Sequence, residues 1–383
     1  MRIPAGLAQA VISLALLIGL TPSLNTALTT QIPKWRPNQS SARAEDYAGT
    51  AACLSCHRRI TAKQLKSQMG RSMIPTTKTQ GDHPLLTFQR GAYKYTLRLD
   101  GHASLTVEDG YGKITEPIFA VVGSGEIFQS YLIRHDGAPY RVAVDYLGRE
   151  GKLDLDAEAD PPVSLKTALG RRHSEKYVRS CLACHSPASV SGDEIDLLHR
   201  PFGNTCEVCH GPGAKHVADE RAKHVIAKAA NQTVDKEVYP PAIFNPGLLT
   251  VEEQSDFCGQ CHTTASAMRA QNPNGVQGVI SEPYRLEGSR CWNRADKRIR
   301  CTSCHNPHAP IVRDSAAYDS RCLACHVRTA TAEAHPNRPG NACPVGKRDC
   351  ASCHMPKVSV PDTPIVYSDH RIRIVEAGAP FPN

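Results

Sequence analysis

The sequence predicts a mainly α-helical fold with much irregular loop, wrapped around a core that is not built from side chains, plus a small antiparallel β insert. Three observations predict this class: a five-residue Cys/His motif recurs seven times, large aromatic residues are scarce, and one long stretch alternates polar and apolar residues. With 2 Trp, 12 Tyr and 7 Phe against 27 Gly and 28 Pro in 383 residues, the chain is rich in loops and poor in large core side chains. Another group must fill the core.

The recurring motif is C-x-x-C-H, and it uses fourteen of the sixteen Cys. In a c-type haem site the two thiols form thioether bonds to the haem, and the adjacent His ligates the iron. The sequence therefore predicts seven covalently bound haem c groups. The predicted thioether residues are Cys53, Cys56, Cys181, Cys184, Cys206, Cys209, Cys258, Cys261, Cys301, Cys304, Cys322, Cys325, Cys350 and Cys353, and the predicted proximal ligands are His57, His185, His210, His262, His305, His326 and His354.

Two other kinds of C-x-x-C site fit the spacing less well. A zinc knuckle needs a second ligand pair at a regular offset, whereas the first Cys residues of successive motifs are separated by 128, 25, 52, 43, 21 and 28 positions. A thioredoxin-like redox pair needs no His after its second Cys, but all seven motifs have one. The spacing therefore favours haem attachment.

Residues 1–24 are predicted to be a cleaved signal peptide or an uncleaved N-terminal anchor. One Arg precedes an apolar run that is long for the core of a signal peptide and short for a membrane span. Residues 25–48 are a predicted linker, because they are rich in Thr, Ser, Pro and Gln. Either alternative places the body of the protein outside the cytoplasm, in the periplasm or a comparable compartment, and an anchor would tether it to the inner membrane.

The formal net charge of +8 does not by itself indicate an anionic partner. Each ferric haem with two neutral axial ligands brings two propionates and a core charge of about +1, so seven such haems reduce the total to about +1. We therefore infer no nucleic-acid partner.

The haem-free stretch between the first two motifs has the pattern of strands. Residues 49–75 form the predicted first haem segment, and 76–160 the β-rich insert. Within the insert, residues 93–99 alternate apolar and polar side chains, and Asp100-Gly101 and Asp136-Gly137 are turn residues. We predict a small antiparallel sheet that covers the haems.

The rest of the chain carries the other six motifs. Residues 161–357 are the predicted six-haem domain, which is too short for an ordinary side-chain core around six such sites. Residues 358–383 are predicted to be a C-terminal strap over the surface. Short helices and loops are expected to wrap closely packed haems.

Seven irons need seven distal ligands, and ten His lie outside the motifs. His308 follows His305 by three residues and His216 follows His210 by six, so neither can reach the opposite face of its own haem. Each is expected to serve a neighbouring haem. His370 lies in the strap, where an iron bond would hold this Pro-rich segment in place. For these three residues we favour ligation over a solvated surface position.

The other spare residues are less informative. Met69 is a candidate ligand because a thioether can bind haem iron, although the helical stripe Leu65, Met69 and Met73 usually indicates core packing. Four other His can be either haem ligands or surface residues: His135, His173, His199 and His335. Three more fit a surface position at least as well as ligation: His83, His102 and His224.

Cys291 and Cys343 are the two Cys outside the motifs. They are the one pair of thiols left within the chain once the motif residues carry haem. In an oxidising compartment a disulfide bond between them is the expected state, and two free thiols are the alternative.

Several segments around the motifs resemble a known family. They are AGTAACLSCH, CEVCHGPGAKH, CTSCHNPH, CASCHMPK and SDHRI, which together span about residues 48–372, and GSGEIFQSYL at 123–132 looks like a segment of larger multihaem proteins. On these motifs the chain resembles the multihaem c-type cytochromes that include the tetrahaem electron carrier of ammonia oxidisers. That family is related in haem packing to pentahaem nitrite reductase and hydroxylamine oxidoreductase.

The resemblance implies a multihaem cytochrome fold around a stack of seven haems, with His216, His308 and His370 as distal ligands of neighbouring haems. Two departures matter. Relatives often carry an S-x-H arrangement after the first haem, whereas Met69 stands in the His position here. There is also no C-x-x-C-K motif, the form that marks the catalytic haem of many pentahaem nitrite reductases.

The favoured function is electron transfer through closely packed haems between redox partner proteins, with a quinol-linked membrane donor as one candidate partner. The alternative is an oxidoreductase that acts on a small nitrogen or sulfur compound at one haem with an open distal position. A third reading is an assembly module whose surface haems meet those of other subunits. No catalytic residue, substrate or oligomeric state can be assigned from the sequence, because each function uses the same fold.

Overall fold

The structure is a computed structural model, and it describes residues 35–37, 42–76, 85–156, 159–197, 201–229, 243–326, 343, 346, 348–361, 365–376 and 381. The chain divides into two compact units, Met1–Ile32 and Pro33–Asn383, and all described residues belong to the second. The predicted signal or anchor segment lies outside the described residues. No helix in the described ranges is both long and apolar enough to cross a bilayer.

A ten-stranded antiparallel sheet follows the first motif. Its order is β10-β7-β6-β5-β4-β3-β2, with β1 paired to β5 and β8 paired to both β6 and β9. The register of β5 and β6 shifts between Ile118 and Ala120, and such a bulge bends the strand that carries it. The strands are β1 Met73–Ile74, β2 Leu85–Arg90, β3 Tyr93–Arg98, β4 Ser104–Glu108, β5 Lys113–Val122, β6 Phe128–His135, β7 Ala138–Val142, β8 Val144–Leu147, β9 Lys152–Leu155 and β10 Gly170–Arg172.

The predicted alternation is confirmed, but the predicted size is not. Tyr95 and Leu97 are fully buried whereas Lys94 and Arg98 are exposed, and β3 pairs with β4 across the predicted turn. The sheet is larger than the small insert that the sequence indicated, so a mainly α-helical class is not confirmed. The extra strands β1 and β10 could not be predicted, because two or three residues are too few to show the alternation of polar and apolar side chains.

The sheet has a hydrophobic core of its own. Apolar side chains from β3 to β9 form the largest buried cluster, to which Ala168 also belongs. A second cluster joins β1, β5 and β6 to Val178 and Leu182, which lie on the helix that carries the second motif. The sheet therefore packs against the helix that carries the second motif.

Short helices account for most of the remaining regular structure. They are α1 Thr50–Cys56, α2 Arg58–Gln64, α3 Leu165–Ala168, α4 Glu175–His185, α5 Cys206–His210, α6 Ala214–Ala229, α7 Val251–His262, α8 Ala265–Ala270, α9 Glu282–Glu287, α10 Cys301–Cys304, α11 Asp319–Leu323 and α12 Cys350–His354. Two small hairpins complete the described elements: β11 Val190–Ser191 with β12 Glu194–Ile195, and β13 Lys357–Ser359 with β14 Val366–Ser368.

Capping residues set where motif-bearing helices begin. At α7, the Thr250 hydroxyl accepts a hydrogen bond from the Glu253 amide at 3.2 Å, and the Glu253 carboxylate accepts one from the Thr250 amide at 3.0 Å. At α4, Ser174 accepts a hydrogen bond from the Tyr177 amide. Such caps satisfy N–H groups that have no partner inside the helix.

The helical stripe predicted after the first motif is wrong. Helix α2 ends at Gln64, and the following residues form turns in which the Ser67 hydroxyl accepts a hydrogen bond from the Gly70 amide at 3.0 Å. Met73 belongs to strand β1 and is 1% exposed. Leu65, Met69 and Met73 therefore do not share one helix face.

A buried ion pair fixes the C-terminal strap. Arg285 of α9 donates two hydrogen bonds to Asp369, from Nε at 2.8 Å and from Nη2 at 3.0 Å. The two side chains are 1% and 0% exposed, and Arg373 also contacts Asp369. The strap is thereby held immediately beside His370.

The sheet buries two carboxylates against one guanidinium. Arg141 Nη2 lies 2.9 Å from Asp156 Oδ1 and 3.4 Å from Asp145 Oδ2. Burial, aided by the nearby charge of Asp156, raises the pKa of Asp145 to about 6, although Arg141 opposes the shift. The folded protein therefore binds a proton at Asp145 more tightly than the unfolded chain does.

We expect Asp145 to make the protein less stable as the pH rises through its folded pKa. Its contribution is complete below about pH 4, the unfolded pKa, and is lost as the pH rises through about 6. Two pKa units correspond to about 3 kcal/mol at most. Measurements of the free energy of unfolding at several pH values test this. The Asp145→Asn variant should lack the loss of stability between about pH 4 and 6, and the exposed Asp160→Asn variant should keep it. Equal slopes in Asp145→Asn and the wild type would contradict the expectation.

Candidate haem-attachment sites

Each motif places its two thiols one turn apart at a helical segment, with the His directly after the second thiol. Helices α1, α4, α5, α7, α10 and α12 contain both Cys of the first, second, third, fourth, fifth and seventh motifs, and α11 contains the first Cys of the sixth. Residues three apart lie on the same face of a helix. The two sulfurs of each motif can therefore point towards one ring edge.

The motif helices pack in pairs that the chain order does not suggest. Helix α1 packs on α5, α4 on α7, α7 on α10, and α11 on α12. In each pair one thiol interacts directly with a thiol of the other motif: Cys53 with Cys206, Cys184 with Cys261, Cys258 with Cys301, and Cys322 with Cys350. The first site thus adjoins the third, and the second adjoins the fourth.

Further contacts connect these pairs. The Phe244 amide donates to the His210 carbonyl of the third motif at 3.1 Å, and the Phe244 ring packs on Phe257 of α7, which carries the fourth motif. His305 of the fifth motif packs on Tyr318, which directly precedes α11 of the sixth, with ring centroids 5.5 Å apart. The sites therefore follow one another in the spatial order first, third, fourth, fifth, sixth and seventh. The second site branches from the fourth.

Polar side chains bridge three of the pairs, and the sequence did not reveal them. Glu207 of the third motif accepts hydrogen bonds from backbone amides in front of α1. Gln254 of α7 accepts from the Thr302 amide at 3.1 Å. Asp319 of α11 accepts from the amides of Asp349 and Cys350 at 2.6 and 2.8 Å. An acidic or amide residue near a motif is too common a signal to predict these contacts.

Several motif His are oriented by their Nδ1 atoms. Nδ1 of His185 donates to the Ser72 carbonyl at 3.0 Å, Nδ1 of His210 to Phe244 at 2.9 Å, and Nδ1 of His354 to Arg373 at 2.8 Å. A carbonyl oxygen can only accept, so the proton is on Nδ1 and Nε2 is left with its lone pair. Metal-bound His side chains are commonly held in this way.

The three spare His favoured by the sequence each face a motif His. The ring centroids are 6.5 Å apart for His57 and His216, 5.9 Å for His210 and His308, and 6.0 Å for His305 and His370. The ring planes differ by 19°, 11° and 49°, respectively. Each pair joins residues that are far apart in the sequence.

These separations fit a metal ion between two imidazoles. A bond of about 2.0 Å to each nitrogen, on opposite sides of one metal, places the ring centroids about 6 Å apart. Burial lowers the pKa of His216, His308 and His370, which favours the neutral form that binds metals. In the described ranges, no three His, Cys, Asp or Glu side chains are grouped as ligands of a bare metal ion.

Comparisons with known proteins add little to this geometry. No protein-family model matches the chain, and no curated protein matches it. Among solved structures the chain is similar to the outer cell wall cytochrome OcwA, with 15% identity and a TM-score of 0.40, over 86% of this chain and 80% of that one. A likeness at this level transfers neither fold nor function. The resemblance to the family of the tetrahaem carrier is not confirmed by these comparisons.

The remaining spare His have other surroundings. His135 Nδ1 lies 2.7 Å from Glu116 Oε1 within the sheet, and the ring of His173 stacks on Tyr177 at 3.6 Å. His102 lies in the turn after β3, and His224 is exposed on α6. His83, His199 and His335 lie outside the described residues. Among the described His, no ring contact of the kind above is found for His185, His262, His326 or His354.

One motif His faces a carboxylate instead of a carbonyl. His262 Nδ1 lies 3.3 Å from Glu282 Oε2, and this contact raises the pKa of His262 because the carboxylate stabilises the protonated ring. An anionic neighbour makes an imidazole a stronger electron donor to a bound metal. The fourth site therefore differs electrostatically from its neighbours.

The disulfide bond expected between Cys291 and Cys343 is not present in the structure. Cys343 Sγ instead accepts a hydrogen bond from the Gly346 amide at 3.3 Å. Burial, with a contribution from Cys322 and Cys325 of the sixth motif, raises the pKa of Cys291.

Proposed function

We propose that the chain is an exported heptahaem c-type cytochrome that carries electrons through closely packed haems between redox partner proteins. The observation that carries the proposal is the set of three His pairs, each with ring centroids about 6 Å apart, as one iron between two imidazoles requires. The succession of attachment sites supports it further. The resemblance of the motifs to the tetrahaem carrier family points the same way.

The fourteen motif Cys would hold the seven haems, and the motif His would be their proximal ligands. Haem supplies an iron that changes between the ferric and ferrous states. The chain's own contribution is to fix the rings: the carbonyls of Ser72, Phe244 and Arg373 orient three proximal imidazoles. His216, His308 and His370 would close the distal faces of the first, third and fifth haems. A closed face leaves no position for a substrate, so these three sites suit electron transfer.

The location and partners follow from the same proposal. An apolar N-terminal segment followed by haem c motifs indicates export, since haem c attachment and N-terminal signals belong to extracytoplasmic proteins. The candidate partners are redox proteins, with a quinol-linked membrane donor on one side.

Mass spectrometry and electron paramagnetic resonance (EPR) of the purified ferric protein test the proposal. The mature chain should carry seven haems, with mainly low-spin iron. His216→Ala, His308→Ala and His370→Ala should each convert one haem to high spin, and the control His135→Ala should convert none. Five or fewer haems would contradict the seven-haem proposal. A full equivalent of high-spin iron in the wild type that binds nitrite, hydroxylamine or cyanide rapidly would favour the oxidoreductase instead.

A further inference from the structure

Glu207 is a buried carboxylate within the third motif that holds three backbone amides at once. Its side chain accepts hydrogen bonds from Ala48 N at 2.7 Å, Gly49 N at 2.9 Å and Gly213 N at 2.7 Å. The residue is 2% exposed. Hydrogen bonds to an ionised acceptor are the stronger kind, and a buried N–H without an acceptor is costly. The carboxylate therefore fixes the backbone at two places, Ala48–Gly49 and Gly213.

Those two places are the starts of the two helices that bring His57 and His216 together. Gly49 precedes α1, which runs to Cys56 and leads directly into His57. Gly213 precedes α6, whose third residue is His216. One carboxylate thus holds the chain ahead of each imidazole of the first site.

Gly213 approaches the Glu207 carboxylate so closely that a side chain at this position would crowd it. A Cβ atom at Gly213 would lie 3.0 Å from Glu207 Oε1, which is tighter than an ordinary contact. The approach that gives the 2.7 Å hydrogen bond therefore suits a glycine. Gln254 and Asp319 make comparable bridges, but each reaches backbone amides of one partner motif alone.

We propose that Glu207 is a positioning residue that sets the separation of His57 and His216 and so keeps the first iron six-coordinate. The inference rests on the proposed function, because it requires these two His to bind one iron. Glu207 touches neither ring in this role. It acts through the backbone at Gly49 and Gly213.

The test uses the full haem-loaded protein and counts high-spin iron by EPR, with cyanide binding as a second reading. Glu207→Ala should convert roughly half or more of one haem equivalent to high spin, because the two helices lose their common acceptor. Glu207→Gln keeps the size and one acceptor oxygen, so its effect should be smaller. Asp193→Asn is the control: it removes a carboxylate charge from a side chain that is 93% exposed, and it should produce no high-spin iron. Haem content by mass spectrometry shows that each variant is fully loaded.

A double variant assigns the effect to the first haem. In His216→Ala the first iron is already high-spin, so adding Glu207→Ala should produce no further high-spin iron. Additional high-spin iron in the double variant, or a fully loaded Glu207→Ala protein that stays low-spin, would overturn the inference. If His216→Ala alone left all the irons low-spin, the ligand assignment of the proposed function would fail instead.

Discussion

Replacing Asp369 by Ala is expected to lower the free energy of unfolding by about 3–5 kcal/mol, the cost of leaving a buried charge without its partner. Arg285 and Asp369 are 1% and 0% exposed, so water cannot replace the lost carboxylate. The Arg371 amide would also lose its acceptor at 3.0 Å. Since His370 follows directly, we expect the same variant to loosen its contact with His305.

Denaturant unfolding of the haem-loaded variant measures the loss. Asp193→Ala is the control, because Asp193 pairs with Arg179 at 3.0 Å but is 93% exposed, and exposed pairs contribute about 0–1 kcal/mol. A matched replacement of both Arg285 and Asp369 by apolar residues should cost less than Asp369→Ala alone, since the buried Arg285 charge is then no longer left without its partner. Equal losses for Asp369→Ala and Asp193→Ala would refute the expectation.

The chain made without haem attachment is expected to fold in its sheet and nowhere else. The cluster that includes Tyr95, Leu105 and Tyr131 belongs to the sheet and needs no haem. By contrast, the described residues after 201 bury few apolar side chains: Val208, Phe244, Leu249, Val251, Ala265, Met268 and Val279. So small a core cannot offset the loss of conformational entropy on folding.

Limited proteolysis of the full chain, expressed in a host that cannot attach haem c, tests this expectation. The surviving fragment should fall within about residues 85–172, the span of β2 to β10. The haem-loaded chain serves as the control and should resist cleavage throughout the motif region as well. Comparable protection of both regions in the haem-free chain would contradict the expectation.

The attachment residues could be predicted from the sequence, because C-x-x-C-H is a local pattern whose chemistry is complete within five residues. The sequence also singled out His216 and His308, since a His too close to its own motif must face elsewhere, and His370, since an iron bond would hold the Pro-rich strap. It could not show which motifs adjoin, because nothing within the first motif encodes contact with the third. The roles of Glu207 and Asp369 were hidden for the same reason: Glu207 contacts Ala48 and Gly49, and Asp369 contacts Arg285, from far along the chain.

The three His pairs have a consequence for how the chain can be divided. Once iron joins each pair, the metal closes three loops, from 57 to 216, from 210 to 308 and from 305 to 370. Each loop begins before the previous one ends, so neighbouring loops overlap along the sequence. Cross-links of this kind restrict the unfolded chain, and no cut between residues 57 and 370 separates the molecule without opening at least one of them. With the proposed ligands, a truncation within this range therefore separates the two His ligands of at least one iron.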